Sequence, residues 1–267
     1  MNVLQAVIFG FIQGFGEMLP ISSSAHLVLF PYLFRINDPG LAFDVALHFG
    51  TLLAILGFFW MDWVNIFKSF IVLAKERKVT SFYQRLGIML LIASIPGAIF
   101  GLLLDKYAET VFRGPALVAI MMALMGGVLY FADHKWRGKK EIKDLTNKKS
   151  FTIGLAQAVA IIPGVSRSGI TISMGLFEGL TRREAARFSF LMSAPIIAGA
   201  AMAKLPDLST QIVATSTFWI AFVTSIISSL LAIKLLLGFV RRYSFNIFVF
   251  YRWGLAALIL ITVLVRT

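Results

Sequence analysis

The sequence predicts an all-α integral membrane protein with about six transmembrane helices and two re-entrant helical hairpins, arranged as an inverted-topology repeat. Of its 267 residues, 58% are hydrophobic and only 14% are charged, and the mean hydropathy is +0.84. This composition is unlike that of a soluble domain. Six apolar stretches are long enough to cross a bilayer, and two further apolar regions are interrupted by short polar strings that resemble each other.

The six predicted spans are apolar stretches close to the length of about 17 to 25 residues that crosses the hydrocarbon core as a helix. The stretch 63–74 is also apolar, but Lys68 interrupts it and Lys75 follows it. This pattern indicates a helix at the membrane surface rather than a span. The spans are placed at 41–60, 86–104, 115–132, 188–203, 218–239 and 247–265.

In the two interrupted regions, a proline marks each break, Pro20 in the first and Pro163 in the second. Irregular backbone at membrane depth persists only where protein or a wet cavity satisfies its polar groups. We therefore expect each region to form a re-entrant helical hairpin. The regions are 2–34, with the first polar string at 13–26, and 151–178, with the second polar string at 163–171.

The polar regions of the two halves align at an offset of 144 residues. Each hairpin is followed by three spans, and because three is odd, the second hairpin enters from the face opposite the first. The repeat is therefore inverted, and both polar strings can meet near the membrane midplane, as in transporter folds. We divide the single membrane domain, 1–267, into a first repeat at 1–132, a linker at 133–150 and a second repeat at 151–267. The aligned residues are Gln13 with Gln157, Ser22 with Ser166, and Ser24 with Ser168.

Lysine and arginine residues predict the orientation, because basic residues concentrate in cytoplasmic loops. Most of them fall on one face of the predicted topology, which we expect to be cytoplasmic, so that both termini lie outside. Topology also accounts for the net charge of +12, and no nucleic-acid partner is expected. The basic residues of the linker are Lys135, Arg137, Lys139, Lys140, Lys143, Lys148 and Lys149.

The second polar string has the composition of a phosphate site. The planar guanidinium of Arg167 suits phosphate oxygens, and a helix that starts at Ser168 would offer free N–H groups to an anion. The alternative is that Arg167 extends to the cytoplasmic surface while the glycines only pack helices together. The residues expected to bind phosphate here are Gly164, Ser166, Ser168, Gly169 and Thr171.

The first polar string supplies groups that can move protons or attack phosphorus. Ser23 is a weak nucleophile until a base takes its proton, and both Glu17 and His26 could do so. Gln13 lies one helical turn before Glu17, so both would face the same cavity, and we expect Gln13 to bind the substrate phosphate there. The alternative is a buried polar network with structural duties only. The further hydroxyl groups of this string, also expected to bind phosphate, are those of Ser22 and Ser24.

Further ionisable residues lie inside the predicted spans. Asp44 and His48 are four residues apart, so they can both face the cavity or pair with each other. Arg252 lies near the cytoplasmic end of the last span, where we expect its guanidinium to reach the membrane surface. The chain has no cysteine, which excludes disulfides, thiolate catalysis and cysteine-ligated metals.

Both polar strings match motifs of a known family. The second string, 163–171, meets the pattern Pro-Gly-x-Ser-Arg-Ser-Gly-x-Thr in full. The first pattern is a Glu or Gln, three residues and a Glu, followed by Leu-Pro, serines and a His. Its residues here are Gln13, Glu17, Leu19, Pro20, Ser22, Ser23 and His26. On these motifs, its length and its span layout, the chain resembles the undecaprenyl-diphosphate phosphatases, a bacterial membrane family associated with bacitracin resistance.

The resemblance implies hydrolysis of a C55 isoprenoid diphosphate to the monophosphate and inorganic phosphate, which regenerates the lipid carrier for cell-wall precursors. It implies that Glu17 is the essential acidic residue and Arg167 the phosphate clamp. Ser23 is then a candidate nucleophile, and His26 a proton carrier or an alternative nucleophile. The resemblance also implies a multi-pass protein of the bacterial plasma membrane, whose site opens to the outer face. Its partners would be the bilayer and a polyprenyl diphosphate lipid.

Several points stay open at the level of the sequence. A divalent cation, Mg²⁺ or Ca²⁺, would offset the charge of the diphosphate, and Glu17 could help to hold it. However, Gln13 stands where some family members have a second Glu, so the first polar string offers a cation only one carboxylate. A lipid-carrier flippase or an anion transporter is the alternative function, because inverted repeats are transporter architecture. The attacking group can be Ser23, His26 or water, and the chain can be a monomer or a homodimer. The basic inner surface leaves an inward-opening site as the alternative to an outward-opening one, and the protein could also carry the product lipid back across the membrane.

Overall fold

The computed structural model of the chain describes residues 1–109, 111–135, 138–204 and 209–266. Within these residues, all regular secondary structure is helical, with twelve α-helices and three single 3₁₀ turns. The α-helices are α1 (Val3–Met18), α2 (Ser23–Phe34), α3 (Leu41–Phe58), α4 (Trp60–Glu76), α5 (Phe82–Glu109), α6 (Pro115–Lys135), α7 (Asn147–Ala158), α8 (Arg167–Phe177), α9 (Arg182–Lys204), α10 (Thr210–Val213), α11 (Ser216–Phe239) and α12 (Asn246–Arg266).

Six of the described helices are long and apolar enough to cross a membrane: α3, α5, α6, α9, α11 and α12. They coincide with the six predicted spans, which confirms the prediction of a multi-pass membrane protein. The largest difference is at α9, which begins at Arg182 rather than at residue 188. Hydropathy marks only the apolar part of a helix, whereas the helical hydrogen bonds continue through the polar residues of its first turns.

The apolar stretch at 63–74 is helical, as predicted, and forms the middle of α4. Only Ile66 is buried among the described residues of this helix, so α4 lies on the outside of the helix bundle. Its first turn is tied to α9, because Arg187 donates a hydrogen bond to Asp62 at 2.7 Å. Its position at the membrane surface stays a prediction.

The predicted linker contains local structure. A 3₁₀ turn covers Ile142–Asp144, and α7 already begins at Asn147. At the start of the linker, the buried carboxylate of Asp133 pairs with Arg182 at the beginning of α9. Arg137, one of the basic residues that predict the orientation, lies outside the described residues. The pair of Asp133 and Arg182 therefore ties the start of the linker to α9.

The first polar string divides its apolar region into α1 and α2. Helix α1 ends at Met18 because the residue before a proline is driven out of the helical conformation, and Leu19, which precedes Pro20, is extended at φ −80° and ψ 149°. Helix α2 begins after Ser22, whose Oγ accepts a hydrogen bond from the Ala25 N–H at 3.3 Å. This hydroxyl caps one of the free N–H groups at the helix start.

The second polar string is built in the same way. Helix α7 ends at Ala158, and a 3₁₀ turn leads to Ile162, which is extended at φ −77° and ψ 117° ahead of Pro163. Helix α8 begins after Ser166, whose Oγ accepts a hydrogen bond from the Gly169 N–H at 3.1 Å. A proline break followed by a serine cap therefore occurs in both halves of the chain.

The two capping serines share an unusual backbone conformation. Ser22 has φ 74° and Ser166 has φ 71°, in the left-handed region that costs about 1–3 kcal/mol for a residue other than glycine. Each serine also contacts a second hydroxyl, with Oγ–Oγ distances of 3.2 Å from Ser22 to Ser24 and 3.3 Å from Ser166 to Ser168. The two loops are therefore alike in conformation and in hydrogen bonding.

The first helix of each interrupted region, α1 or α7, packs against a span from the other half of the sequence. Helix α1 lies along α11, where Ser229 Oγ donates a hydrogen bond to the Gly14 carbonyl at 3.1 Å. A side chain on Gly14 would collide with the backbone of Ser225, and one on Gly154 of α7 would collide with the backbone of Ala93 in α5. Small residues thus allow the close helix contacts that replace hydrophobic burial in a membrane.

Arg252 of α12 is fully buried in the middle of the molecule. It donates hydrogen bonds only to backbone carbonyls in the described contacts, and these come from both polar strings and from α6. The expectation that it reaches the membrane surface was wrong, because four carbonyl oxygens satisfy the guanidinium in the interior. The acceptors are Met122 (3.1 Å), Pro20 (3.1 Å), Gly164 (2.7 Å) and Val165 (3.2 Å).

Candidate active site

The two polar strings contact each other directly. Ser22 Oγ accepts a hydrogen bond from the Gly164 N–H at 3.2 Å, and Ser168 Oγ donates one to the Leu19 carbonyl at 2.9 Å. All four groups are buried. The meeting of the two strings, which the sequence predicted, is therefore present in the structure.

A cavity of about 230 Å³ lies beside the joined strings. Of the twelve site residues predicted from the sequence, seven line it. Further polar groups reach it from α3, α7 and the turn before α6. Gly97 of α5 forms an apolar wall together with Ile196, Ile197 and Ala200 of α9. The predicted residues that line the cavity are Glu17, Ser22, Ser23, Ser24, Ser166, Arg167 and Ser168.

Glu17, at the end of α1, is the centre of the polar side. Its Oε1 accepts two hydrogen bonds from Arg167, one from Nε at 3.1 Å and one from Nη2 at 2.8 Å. Its Oε2 accepts a short hydrogen bond of 2.5 Å from Ser23 Oγ and lies 3.2 Å from His48 Nε2. Gln13 Nε2 lies 3.4 Å from the same oxygen. The buried carboxylate is therefore ionised and held on both oxygens.

Arg167 is the first residue of α8 and uses only part of its guanidinium on Glu17. Within the described part of the chain, its buried Nη1 has no hydrogen-bond partner. Because the side chain lines the cavity, this free donor is available to a ligand there. An unpaired charged donor is costly when buried, and an anionic oxygen would satisfy it.

His48 of α3 contacts Glu17 and not the carboxylate of Asp44. Its Nδ1 lies 2.7 Å from the Asp44 backbone carbonyl, and its Nε2 faces Glu17. With a proton on each nitrogen, the ring donates both hydrogen bonds. Of the two arrangements that the sequence left open, the cavity-facing one is present, since both Asp44 and His48 line the cavity.

Arg113 joins two acidic residues where the cavity meets the ends of α3 and α6. Its Nη1 lies 3.0 Å from Asp44 Oδ2, and its Nη2 lies 2.7 Å from Asp38 Oδ2. Although partial burial lowers the pKa of the Arg113 guanidinium, the charges of Asp44 and Asp38 outweigh this effect and raise it above its usual value. The sequence indicated Asp44 but not the ion pairs of Arg113, because Arg113 and Asp38 are 75 residues apart and no motif connects them.

The structure does not bring His26 to the carboxylate. Its Nδ1 lies 2.7 Å from the Ser22 carbonyl, and its Nε2 lies 2.6 Å from the hydroxyl of Tyr251, whose ring stacks on the imidazole. Among the described residues that line the cavity, His26 is not included. Its role as a proton carrier or nucleophile stays a prediction.

Four other predicted residues support the site from behind. Thr171 Oγ1 donates to the Arg167 carbonyl at 2.8 Å and so secures the first turn of α8. Gly164, at φ +96°, lies against the backbone of α6 where a side chain would collide. Gly169 supplies the capped N–H of α8, and Gln13 contacts Glu17. These residues position groups that line the cavity but do not line it themselves.

The comparison with protein families covers nearly the whole chain. The family model described as bacitracin resistance protein BacA matches residues 6–258. The chain belongs to the BacA family. The BacA match includes both polar strings and all the described residues that line the cavity.

BacA relatives are similar to this chain over their full length and not over the motifs alone. The undecaprenyl-diphosphatase of Moorella thermoacetica is 51% identical over 259 residues, which covers 97% of both chains. That of Caldicellulosiruptor bescii is 46% identical over 268 residues, covering 100% of this chain and 99% of the relative. That of Desulforudis audaxviator is 44% identical over 266 residues, covering both chains completely.

Proposed function

We propose that this chain is a membrane-embedded undecaprenyl-diphosphatase. It hydrolyses undecaprenyl diphosphate to undecaprenyl phosphate and inorganic phosphate, and so recycles the lipid carrier for cell-wall synthesis. Family membership and the names of full-length relatives support this function. The observation that carries it is the hydrogen bond from Ser23 Oγ to Glu17 Oε2, beside a free donor of Arg167 in a cavity between membrane helices. The relatives give no support to the transporter alternative.

Ser23 is the group that attacks phosphorus in this proposal. Glu17 takes the hydroxyl proton as Oγ bonds to the terminal phosphorus, and the bond from that phosphorus to the bridging oxygen breaks. The polyprenyl phosphate leaves with the electron pair. Water then attacks the phosphoserine, inorganic phosphate leaves, and Glu17 returns the proton to Ser23 Oγ.

Arg167 has two duties in this sequence. Its free Nη1 binds the terminal phosphate and stabilises the charge that develops during transfer. A phosphate oxygen also competes with Glu17 for the guanidinium, because both are anions that suit the same planar group. Substrate binding therefore loosens the Arg167–Glu17 pair and makes the carboxylate a stronger base at the moment when it is needed.

The architecture that we propose is an inverted repeat of 1–132 and 151–267, joined by the linker 133–150, with re-entrant hairpins at the two polar strings. The equal backbone conformation of Ser22 and Ser166 supports this division. The crossed packing of α1 on α11 and of α7 on α5 supports it too, because α7 is the counterpart of α1 under the 144-residue offset, and α5 and α11 are each the second span after their polar string.

The orientation that we propose places both termini outside and opens the site to the outer face of the bacterial plasma membrane. The cavity is lined by Leu41, Asp44, Arg113 and Ala200, all near helix ends opposite to the basic loops. By the positive-inside rule these helix ends face outward. Diphosphate lipid in the outer leaflet would then reach Glu17 without crossing the membrane.

A divalent cation, Mg²⁺ or Ca²⁺, fits the described residues poorly as a cofactor bound by protein alone. No three histidine, aspartate or glutamate side chains of the described chain are grouped to hold a metal ion, and both oxygens of Glu17 already accept hydrogen bonds. Glu17 would provide one ligand, and phosphate oxygens and water would provide the others. We assign no step of the reaction to a metal.

Phosphate release from a polyprenyl diphosphate by purified protein in detergent tests the proposed function. The parent protein should release phosphate, and Glu17→Gln should lose about a hundredfold or more of the activity, because it removes the base and leaves the shape. Glu178→Gln is the matched control, since Glu178 pairs with Lys149 at 3.2 Å away from the cavity. A folded parent that releases no phosphate, with or without added Mg²⁺ or Ca²⁺, would contradict the proposal.

A further inference from the structure

Gln157 of α7 lines the cavity and is only 3% exposed. Within the described part of the chain, neither Nε2 nor Oε1 of this side chain has a hydrogen-bond partner. Its counterpart at the 144-residue offset, Gln13, contacts Glu17 instead. A buried amide without partners is costly, and a polar group that enters the cavity can remove this cost.

The position of the Gln157 amide is set by Gly97 of α5. A methyl group on Gly97 would lie 2.8 Å from Gln157 Nε2 and 3.2 Å from Ile196 Cδ1 of α9. A glycine at this position therefore leaves room for the amide between α5 and α9. Gln157 thus lies beside the apolar wall of the cavity, and in the described part of the chain it makes no hydrogen bond to the acidic and basic groups around Glu17.

This apolar wall continues to the surface of the helix bundle. Ala160, Ile161 and Ala200 line the cavity beyond Gln157. Near them, Val159 is 48% exposed and Met202 of α9 is 76% exposed. Large apolar side chains on the outside of a membrane helix face lipid. The wall therefore connects the cavity to the apolar outer surface of the bundle.

We propose that Gln157 binds the lipid-proximal phosphate of the diphosphate, with Nε2 donating a hydrogen bond to one of its oxygens. The inference rests on the proposed function, in which Ser23 and Arg167 hold the terminal phosphate on the polar side. A substrate whose tail follows the apolar wall must place its other phosphate between the two sides, where Gln157 offers an unpaired donor. Gln157 is then the residue that recognises a second phosphate in front of a lipid tail.

Binding of the two reaction products distinguishes a contact of Gln157 with the lipid-proximal phosphate from a contact with the terminal phosphate. Polyprenyl phosphate keeps the lipid-proximal phosphate and the tail, whereas inorganic phosphate occupies the place of the terminal phosphate. Loss of the Gln157 donor should weaken binding of polyprenyl phosphate about tenfold, the scale of one hydrogen bond to a charged group. Binding of inorganic phosphate should not change.

The test compares Gln157→Leu and Gly97→Ala with the parent protein in detergent. Both variants should raise KM for the polyprenyl diphosphate about tenfold with little change in kcat, and polyprenyl phosphate should inhibit them correspondingly less. Gln157→Leu should fold well, because it removes polar atoms that have no partners. Gly97→Ala keeps the amide but displaces it.

Gln84→Leu is the control for loss of a buried glutamine, since Gln84 is satisfied by Thr80, Ser81 and Ser69. It should lower the unfolding temperature and leave KM unchanged.

Direct titration of polyprenyl phosphate separates this inference from the proposed function, because binding needs no turnover. Equal affinity of the folded Gln157→Leu variant and the parent for polyprenyl phosphate would overturn the inference, even if the parent is an active phosphatase. Weaker inhibition by inorganic phosphate instead would assign Gln157 to the terminal phosphate and would also overturn it. Weaker binding of polyprenyl phosphate by both variants supports it, whatever the rate of hydrolysis.

Discussion

Arg167 and Glu17 are 150 residues apart in the chain and form a two-point contact, in which Nε and Nη2 of the guanidinium share one carboxylate oxygen, Oε1. This arrangement leaves Oε2 to Ser23 and His48, and it leaves Nη1 of Arg167 to the cavity. One carboxylate thus separates the proposed phosphate-binding group on one side from the proposed nucleophile on the other.

Ser23→Ala should lose about a hundredfold or more of the phosphate-release activity while the protein stays folded. The change removes the hydroxyl that donates to Glu17, and a water placed there by chance would be a poorer nucleophile. Ser94→Ala is the matched control, because Ser94 is also a buried serine and donates only to the Leu90 carbonyl of its own helix among the described contacts. Parental activity in folded Ser23→Ala would exclude Ser23 as the nucleophile and would leave His26 or water as the attacking group.

Arg167→Lys should reduce kcat/KM by about tenfold to a hundredfold, and Arg167→Gln by more than a hundredfold. Lysine keeps the charge but cannot hold Glu17 and a phosphate oxygen with one planar group, and glutamine loses the charge as well. Steady-state kinetics on polyprenyl diphosphate measure both effects. Arg187→Lys, at the ion pair with Asp62, is the control. If Arg167→Gln keeps parental kcat/KM, the guanidinium does not bind the terminal phosphate.

His48→Ala should lower kcat by about tenfold to a hundredfold, because Glu17 loses one of the donors that hold Oε2 towards Ser23. His48→Gln should retain more activity, since its amide N–H can still donate to the carboxylate. His134→Ala is a close control. His134 makes the same contact to the carbonyl four residues earlier, with Nδ1 at 2.9 Å from Tyr130, but it is exposed. Equal kinetics for the two alanine variants would show that His48 does not act on Glu17.

Arg252→Met should destabilise the protein by about 3 kcal/mol or more, since it leaves several buried carbonyl oxygens without a donor. Thermal unfolding in detergent measures this loss, and activity should fall with it, because Pro20 and Gly164 belong to the two polar strings. Arg266→Met is the control, as Arg266 donates to exposed carbonyls of Tyr32 and Leu33. Equal unfolding temperatures for the two variants would show that Arg252 does not hold the strings together.

The all-helical, six-span character of the fold could be predicted from the sequence because the membrane restricts it strongly. Spans must be long and apolar, so hydropathy located all six, and the prolines at 20 and 163 located both helix breaks. The meeting of the two polar strings was also predictable, although the direct contact between Glu17 and Arg167 within it was not. The local sequence and the surrounding membrane together determine these features.

The other contacts depend on packing between distant helices, which no local pattern encodes. The sequence leaves open whether His48 faces the cavity or pairs with Asp44, because its contact with Glu17 depends on the rotation of α3 against α1. Arg252 looked like a surface residue, because a sequence does not show which carbonyls a guanidinium can reach. Gln157 was noted only as the counterpart of Gln13, although the same alignment could have directed attention to a second buried amide.

The packing of α1 on α11 has a consequence for synthesis of the protein. Gly14 and Ser229, which join these helices, are 215 residues apart. At about 5 to 20 residues per second, the ribosome needs roughly 10 to 40 seconds to produce the second after the first. During this interval Glu17 and the first serines have been made, but the helices that enclose them have not. The site is therefore completed only after insertion of the later spans. In truncated nascent chains, the first helices should still be accessible to a protease.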